Sequence, residues 1–277
     1  MATQTDADVL VLTALPVEYA AFRAHLHDVG RASDDAGTQF EVGVIDGGTC
    51  RVAVAEIGEG NDGAAVLAGH AIARFRPYAM LFVGVAGALR DDIDVGDVVV
   101  ATRVYGYHGG KDDDDGFLHR PRVFEADNEL LQRARFVVRP IQDFRVHLGP
   151  VVAGEVVLNS RKTQLLQQLK RSYNDAVAIE MESAGMARAG HVSRVPVLTV
   201  RGISDHADGT TAMADGNGPQ RIAARHAARV SAALVADLPF LPRQLAAPVL
   251  PGNGTTRVFH GRELLPRWPG LGVSRKP

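Results

Sequence analysis

The chain is poor in cysteine, in charge imbalance and in long apolar runs. A single cysteine, Cys50, leaves no internal disulfide to be made, which fits a reducing compartment. Thirty Lys and Arg against 32 Asp and Glu give a net charge of -2, so no global field draws the chain to nucleic acid or to an anionic membrane. No stretch approaches the roughly 20 uninterrupted apolar residues of a membrane-spanning helix. The opening Met1 to Asp8 is acidic and lacks the basic flank and apolar core of a secretory leader, so a cytoplasmic protein with a small-molecule partner is expected. Cofactor fingerprints are missing too: no Walker loop with its Lys-Ser or Lys-Thr pair occurs, and the glycines after Val83 lack dinucleotide spacing. The run Asp112 to Asp115 reads as a solvated acidic face, and neither metal nor organic cofactor is assigned.

What the chain does have is 46% hydrophobic content in 277 residues, enough to bury one large core. Short β-branched runs, Val9 to Leu12, Val52 to Ala55, Leu81 to Val83, Val98 to Val100, Val151-Val152 and Val197 to Val200, alternate with alanine-rich segments. Continuous apolar strands between helices predict a sheet covered on both faces, an α/β three-layer sandwich. Helices are expected near Pro16 to Leu26, Asp62 to Phe75, Asp127 to Phe136, Ser160 to Leu169, Ser183 to Ala189 and Pro219 to Leu238. Gly106 to Arg122, with Gly109-Gly110 and little periodicity, is expected to be a surface loop. Prolines 239, 242, 248, 251, 266, 269 and 277 oppose a compact fold at the end of the chain. The expected organisation is one catalytic domain over 1–240 and a Pro/Gly-rich tail over 241–277.

Three segments carry polar groups suited to chemistry. Ile179-Glu180-Met181-Glu182-Ser183 puts two carboxylates where a strand meets a helix; alone, this is also ordinary helix N-terminal charge. Arg201-Gly202-Ile203-Ser204-Asp205 ends a strand in a polar cluster, the place where ligand crevices form in open α/β sheets, although such residues equally cap turns. Gly84-Val85-Ala86-Gly87 follows a buried strand with small residues, so backbone amides there can approach a ligand.

In this order, and together with Ala14-Leu15-Pro16-Val17-Glu18, Val95-Gly96-Asp97 and Ala153-Gly154-Glu155, these segments resemble the nucleoside phosphorylase superfamily over about residues 8 to 238. The resemblance is to its methylthioadenosine/S-adenosylhomocysteine nucleosidase branch, with a central mixed sheet. It implies that Asp205 protonates or hydrogen-bonds purine N7, that Glu18 orients the attacking water, and that Glu182 grips the ribose hydroxyls with Met181 beneath the sugar. Glu180 and Arg201 neighbour that site, Arg201 orienting carboxylates, and Ser204 orients Asp205. Ala86 and Gly87 line the substrate pocket; Val157 and Leu158 fall at the base, Val157 in place of a more usual aromatic. Phe82 and Val85 stand where phosphorylases carry phosphate-holding groups, which favours water as nucleophile.

The expected activity is therefore release of adenine from an adenosine derivative by hydrolysis, in a homo-oligomer by analogy with the family. Alternatives are a nucleosidase acting on ATP or AMP in defence or signalling, with Arg103, Arg122 and Arg161 as candidate phosphate ligands; a phosphate-dependent purine nucleoside phosphorylase; and a nucleoside-sensing binding domain.

Overall fold

The computed structural model describes residues 6–239 except 115, 161 and 208–217; the expected tail, Arg161 and the segment from Asp208 to Asp215 lie outside the described residues. Its strands are β1 (Val9–Thr13), β2 (Leu26–Ser33), β3 (Gln39–Ile45), β4 (Arg51–Glu56), β5 (Ala79–Ala88), β6 (Val98–Gly106), β7 (Gly110–Asp113), β8 (Gly116–His119), β9 (Arg122–Glu125), β10 (Val146–Ala153), β11 (Ala178–Glu180) and β12 (Val197–Asp205). Six helices are described: α1 (Pro16–Arg23), α2 (Asn61–Phe75), α3 (Asn128–Val137), α4 (Gln164–Ser172), α5 (Ser183–Ser193) and α6 (Pro219–Asp237).

The main sheet runs β11-β10-β6-β12-β5-β1-β4-β3-β2, and β11 pairs a second time, antiparallel, with β5. Strands β5, β12, β6, β10 and β11 thus close into a ring, from which β1, β4, β3 and β2 continue as an open sheet. The sheet is mixed: β1 is parallel to β4 and β5, and β12 is parallel to β5 but antiparallel to β6.

Alternation along the strands builds the layers. Val9, Val11, Val52, Val54, Leu81 and Val83 share one core with Phe22 of α1, Leu130 of α3 and the alanines of α6. Leu10, Leu12, Ala53, Ala55, Met80 and Phe82 face the other way, into a second core with α2 and α5. This is the α/β/α sandwich that the alternation of strands and helices predicts.

Several boundaries differ from expectation. Helix α1 stops at Arg23, and Leu26 begins an edge strand. The fourth helix starts at Gln164 rather than Ser160, because the Ser160 hydroxyl accepts the Lys162 N–H in a turn (3.2 Å) and Thr163 is the residue whose side chain caps the helix, accepting the Leu166 N–H (3.2 Å). Gly106 to Arg122 is not simply a loop: β6 runs to Gly106, β7 and β8 pair as a small hairpin, and Arg122 opens β9 against β6. Strands β2 and β3, half exposed and interrupted by charged residues, carry too weak an apolar run to be seen in the sequence.

Candidate active site

The carboxyl ends of β1, β4, β5, β11 and β12 converge on a cavity of about 140 Å³, the position in which α/β sheets bind ligands. Glu18, Ala86, Gly87, Val157, Leu158, Glu180, Met181, Glu182, Ser204 and Asp205 all line it. Arg201, the remaining residue singled out by the sequence, lies beneath it with no solvent exposure. Val157 is 64% exposed, at the cavity rim.

Arg201 is held in a cage of carboxylates. Its Nη2 donates to Glu180 in a short ion pair, to Glu182 Oε2 at 3.4 Å and to Ser183 Oγ at 3.3 Å, and Nη1 stands 4.0 Å from Glu18 Oε1. The Phe82 ring lies 4.0 Å from the guanidinium carbon, so this aromatic stacks on the buried cation. Only a glycine at position 84 leaves room: a Cβ there would meet Arg201 Nη1 at 2.0 Å and Glu18 Oε1 at 2.5 Å.

Glu18 sits in the first turn of α1, where backbone N–H groups are free. Its Oε2 accepts from Ala14 (2.8 Å) and Leu15 (2.9 Å), and its Oε1 accepts from Val85 across the cavity (2.7 Å). Burial pushes its carboxyl pKa up, opposed by Arg201 and those three N–H groups. Glu180 accepts the N–H groups of Glu182 (3.1 Å) and Ser183 (3.0 Å), which locks the turn between β11 and α5. Glu182 accepts the Gly60 N–H (3.2 Å); burial, and then the charge of Glu180, push its carboxyl up to about 7.

Asp205 is set by a bulge. Ile203 is in register with Ala86 and Asp205 with Gly87, so Ser204 is the extra residue. The bulge brings the Ser204 hydroxyl to Asp205 Oδ2 at 2.8 Å, while Oδ1 accepts the Ala207 N–H at 2.7 Å. Ala207 takes a left-handed φ of 53°, which few residues other than glycine adopt, to aim that N–H.

Sequence reasoning missed Leu15 as a contact, and with it Glu59 and Gln220, which also line the cavity. Glu59 had a local signal: it stands between Gly58 and Gly60, both at positive φ, directly after a buried strand. Of the candidate phosphate ligands, Arg103 pairs with Glu125 (3.4 Å) and Arg122 lines a different depression beside Phe124 and Glu155. Neither borders this cavity. A larger depression of about 1020 Å³ between α1 and α6 is lined by Ala20, His25, Arg221 and Arg225 and contains none of the carboxylates described. Among the described residues, no helix is long and apolar enough to cross a membrane.

Comparison with known proteins gives this geometry a context. Residues 8–238 match the model of the Phosphorylase superfamily. The 5'-methylthioadenosine/S-adenosylhomocysteine nucleosidase of Maridesulfovibrio salexigens is 33% identical over 180 residues, covering 63% of this chain and 76% of that protein. The nucleosidase of Staphylococcus haemolyticus is 28% identical over 208 residues, covering 72% and 86%. Among solved structures, the Neisseria meningitidis 5'-methylthioadenosine/S-adenosylhomocysteine nucleosidase in complex with methylthio-immucillin-A superposes with a TM-score of 0.73 at 25% identity, covering 83% of this chain and 99% of that one. The futalosine hydrolase of Helicobacter pylori shares the fold, with a TM-score of 0.73 at 23% identity.

Proposed function

This chain belongs to the phosphorylase superfamily, and on that premise we propose that it is a nucleosidase that hydrolyses the N-glycosidic bond of an adenosine derivative and releases adenine. One observation carries the choice of water over phosphate. The cavity is lined by five carboxylates, Glu18, Glu59, Glu180, Glu182 and Asp205, and among the described residues no lysine or arginine lines it. A phosphate nucleophile carries its own negative charge and requires cations or clustered donors to hold it. The guanidinium beneath the cavity, that of Arg201, is buried and engaged by Glu180 and Glu182. The same lining argues against a 5′-phosphorylated substrate.

In this reading Asp205, steadied by Ser204 and by the Ala207 N–H, delivers a proton to N7 as the bond between C1′ and N9 breaks, so adenine departs neutral. Glu182 holds the ribose hydroxyls while the sugar gains oxocarbenium character, and Met181 lies under the ring. Glu18 orients water for attack at C1′ and takes the proton that water releases. Burial raises its proton affinity, which suits that task. The products are adenine and the free 5′-substituted ribose, and one water is consumed. The same proposal includes a cytoplasmic enzyme that self-associates, by analogy with the family.

Chromatography of free base released from methylthioadenosine, S-adenosylhomocysteine, adenosine, AMP, ATP and inosine, each with and without phosphate, tests the reading. Adenine appearing without phosphate is the expected result. Release only in the presence of phosphate would sink the hydrolase reading.

A further inference from the structure

The cavity has two ends, and the strand order identifies them. Asp205 and Gly87, at the ends of β12 and β5, and Val157 and Leu158, after β10, form one end. Continuing across the sheet through β5 and β1 to β4, the other end is formed by Leu15 after β1 and Glu59 after β4, with Gln220 from the start of α6. In a nucleoside the base and the C5′ substituent leave the ribose from opposite ends, C1′ and C4′. A base placed against Asp205 therefore directs the 5′ substituent toward Leu15, Glu59 and Gln220.

Glu59 is the charged group at that end. It lies between Gly58 at φ 76° and Gly60 at φ 97°, and the Gly60 N–H is tied to Glu182 Oε1. The turn is thereby anchored on the carboxylate assigned to the ribose, one residue after Glu59. Among the described residues Glu59 has no ion-pair or hydrogen-bond partner, and Leu15 and Gln220 bring no charge. The buried carboxylates Glu18 and Glu182 already share the Arg201 guanidinium, whereas Glu59 has no counter-ion among the described residues.

We propose that Glu59 is a specificity-determining residue that favours adenosine derivatives whose 5′ substituent carries an ammonium group and disfavours 5′-phosphates. This rests on the nucleosidase reading for the orientation of the substrate. A neutral apolar substituent packs on Leu15 alone; an ammonium group also reaches a carboxylate that otherwise faces water. A phosphate meets Glu59 with like charge.

The test compares 5′-amino-5′-deoxyadenosine, 5′-deoxyadenosine and AMP on the full chain, on Glu59→Gln and on Glu59→Lys. Two readouts are taken: kcat/KM for adenine release, and dissociation constants measured by calorimetry in the Asp205→Asn background. The expected result is a preference for the 5′-amino over the 5′-deoxy compound that falls about fivefold in Glu59→Gln, the range of a partly exposed charge pair, and shrinks as salt is raised. In Glu59→Lys the order reverses in favour of AMP. An amino-to-deoxy ratio unchanged across the three proteins, in turnover and in binding, overturns the proposal while leaving hydrolysis of methylthioadenosine untouched. Conversely, absence of adenine release from every nucleoside with the calorimetric ratio still shifted would overturn the nucleosidase reading and support the role of Glu59.

Discussion

A Cβ on Gly84 would stand 2.0 Å from Nη1 of Arg201, so the absence of one side chain makes room for another. The Arg201 side chain is the largest wholly buried one among the described residues, and its guanidinium cannot retreat, since Phe82 covers its face. Gly84→Ala is expected to displace both Arg201 and Glu18, destabilising the fold by about 1–3 kcal/mol and abolishing most turnover. Urea unfolding with adenine-release kinetics measures both, and wild-type values in the two assays would contradict the packing described.

Arg201→Met tests what the buried cation does. It leaves Glu18, Glu180 and Glu182 without their shared counter-ion, and loss of one partner from a buried pair costs about 3–5 kcal/mol. The urea midpoint should fall accordingly with the slope unchanged. A shift near zero would mean that the carboxylates take up protons at no cost.

Glu182 makes stability depend on pH. Its carboxyl is pushed from 4.5 up to about 7 in the folded chain, so between those values the folded state holds a proton that the unfolded state has released. Stability from this group is complete below about pH 4.5 and is lost as pH rises through 7, amounting to about 3 kcal/mol. Glu182→Gln should flatten that part of the profile of unfolding free energy against pH. A variant profile parallel to wild type would assign the slope elsewhere.

Asp205→Asn removes the acid and keeps an oxygen to accept the Ala207 N–H. The expected outcome is a fall in kcat of about a thousandfold with the melting temperature nearly unchanged. Near-normal adenine release from this variant would end the role proposed for Asp205.

The fold was legible because its signals are local, and most of the cavity through the resemblance that the ordered motifs carry. Runs such as Val9 to Leu12 and Met80 to Val83 are apolar at every position, as strands covered on both faces must be. Glu18, the Glu180-Met181-Glu182 trio and Ser204-Asp205 follow strands, but each alone also reads as helix-terminal or turn charge, and it was their order along the chain, resembling the nucleoside phosphorylase superfamily, that singled them out. The edge strand β2 and its neighbour β3 lack this mark, with His27, Asp28, Arg31 and Glu41 breaking the apolar pattern. The hairpin of β7 and β8 was hidden by its glycines and aspartates, which read as turn and charge. Glu59 carried only its flanking glycines as a signal, and Gln220 escaped because the arrangement of α6 over the sheet, not the start of the helix itself, brings it to the cavity.

The second pairing of β11, onto β5, has a consequence for the edges that the sheet presents to other strands. A ring of strands has no outer edge, so backbone donors and acceptors that would flank an open sheet are already satisfied. Of the edges left in the main sheet, β9 is four residues long and β2 is broken by a bulge between His27 and Gly30 and studded with charge. Neither offers a flat template for another strand. Contact between copies through the described strands would therefore have to run through side-chain surfaces rather than through a shared sheet.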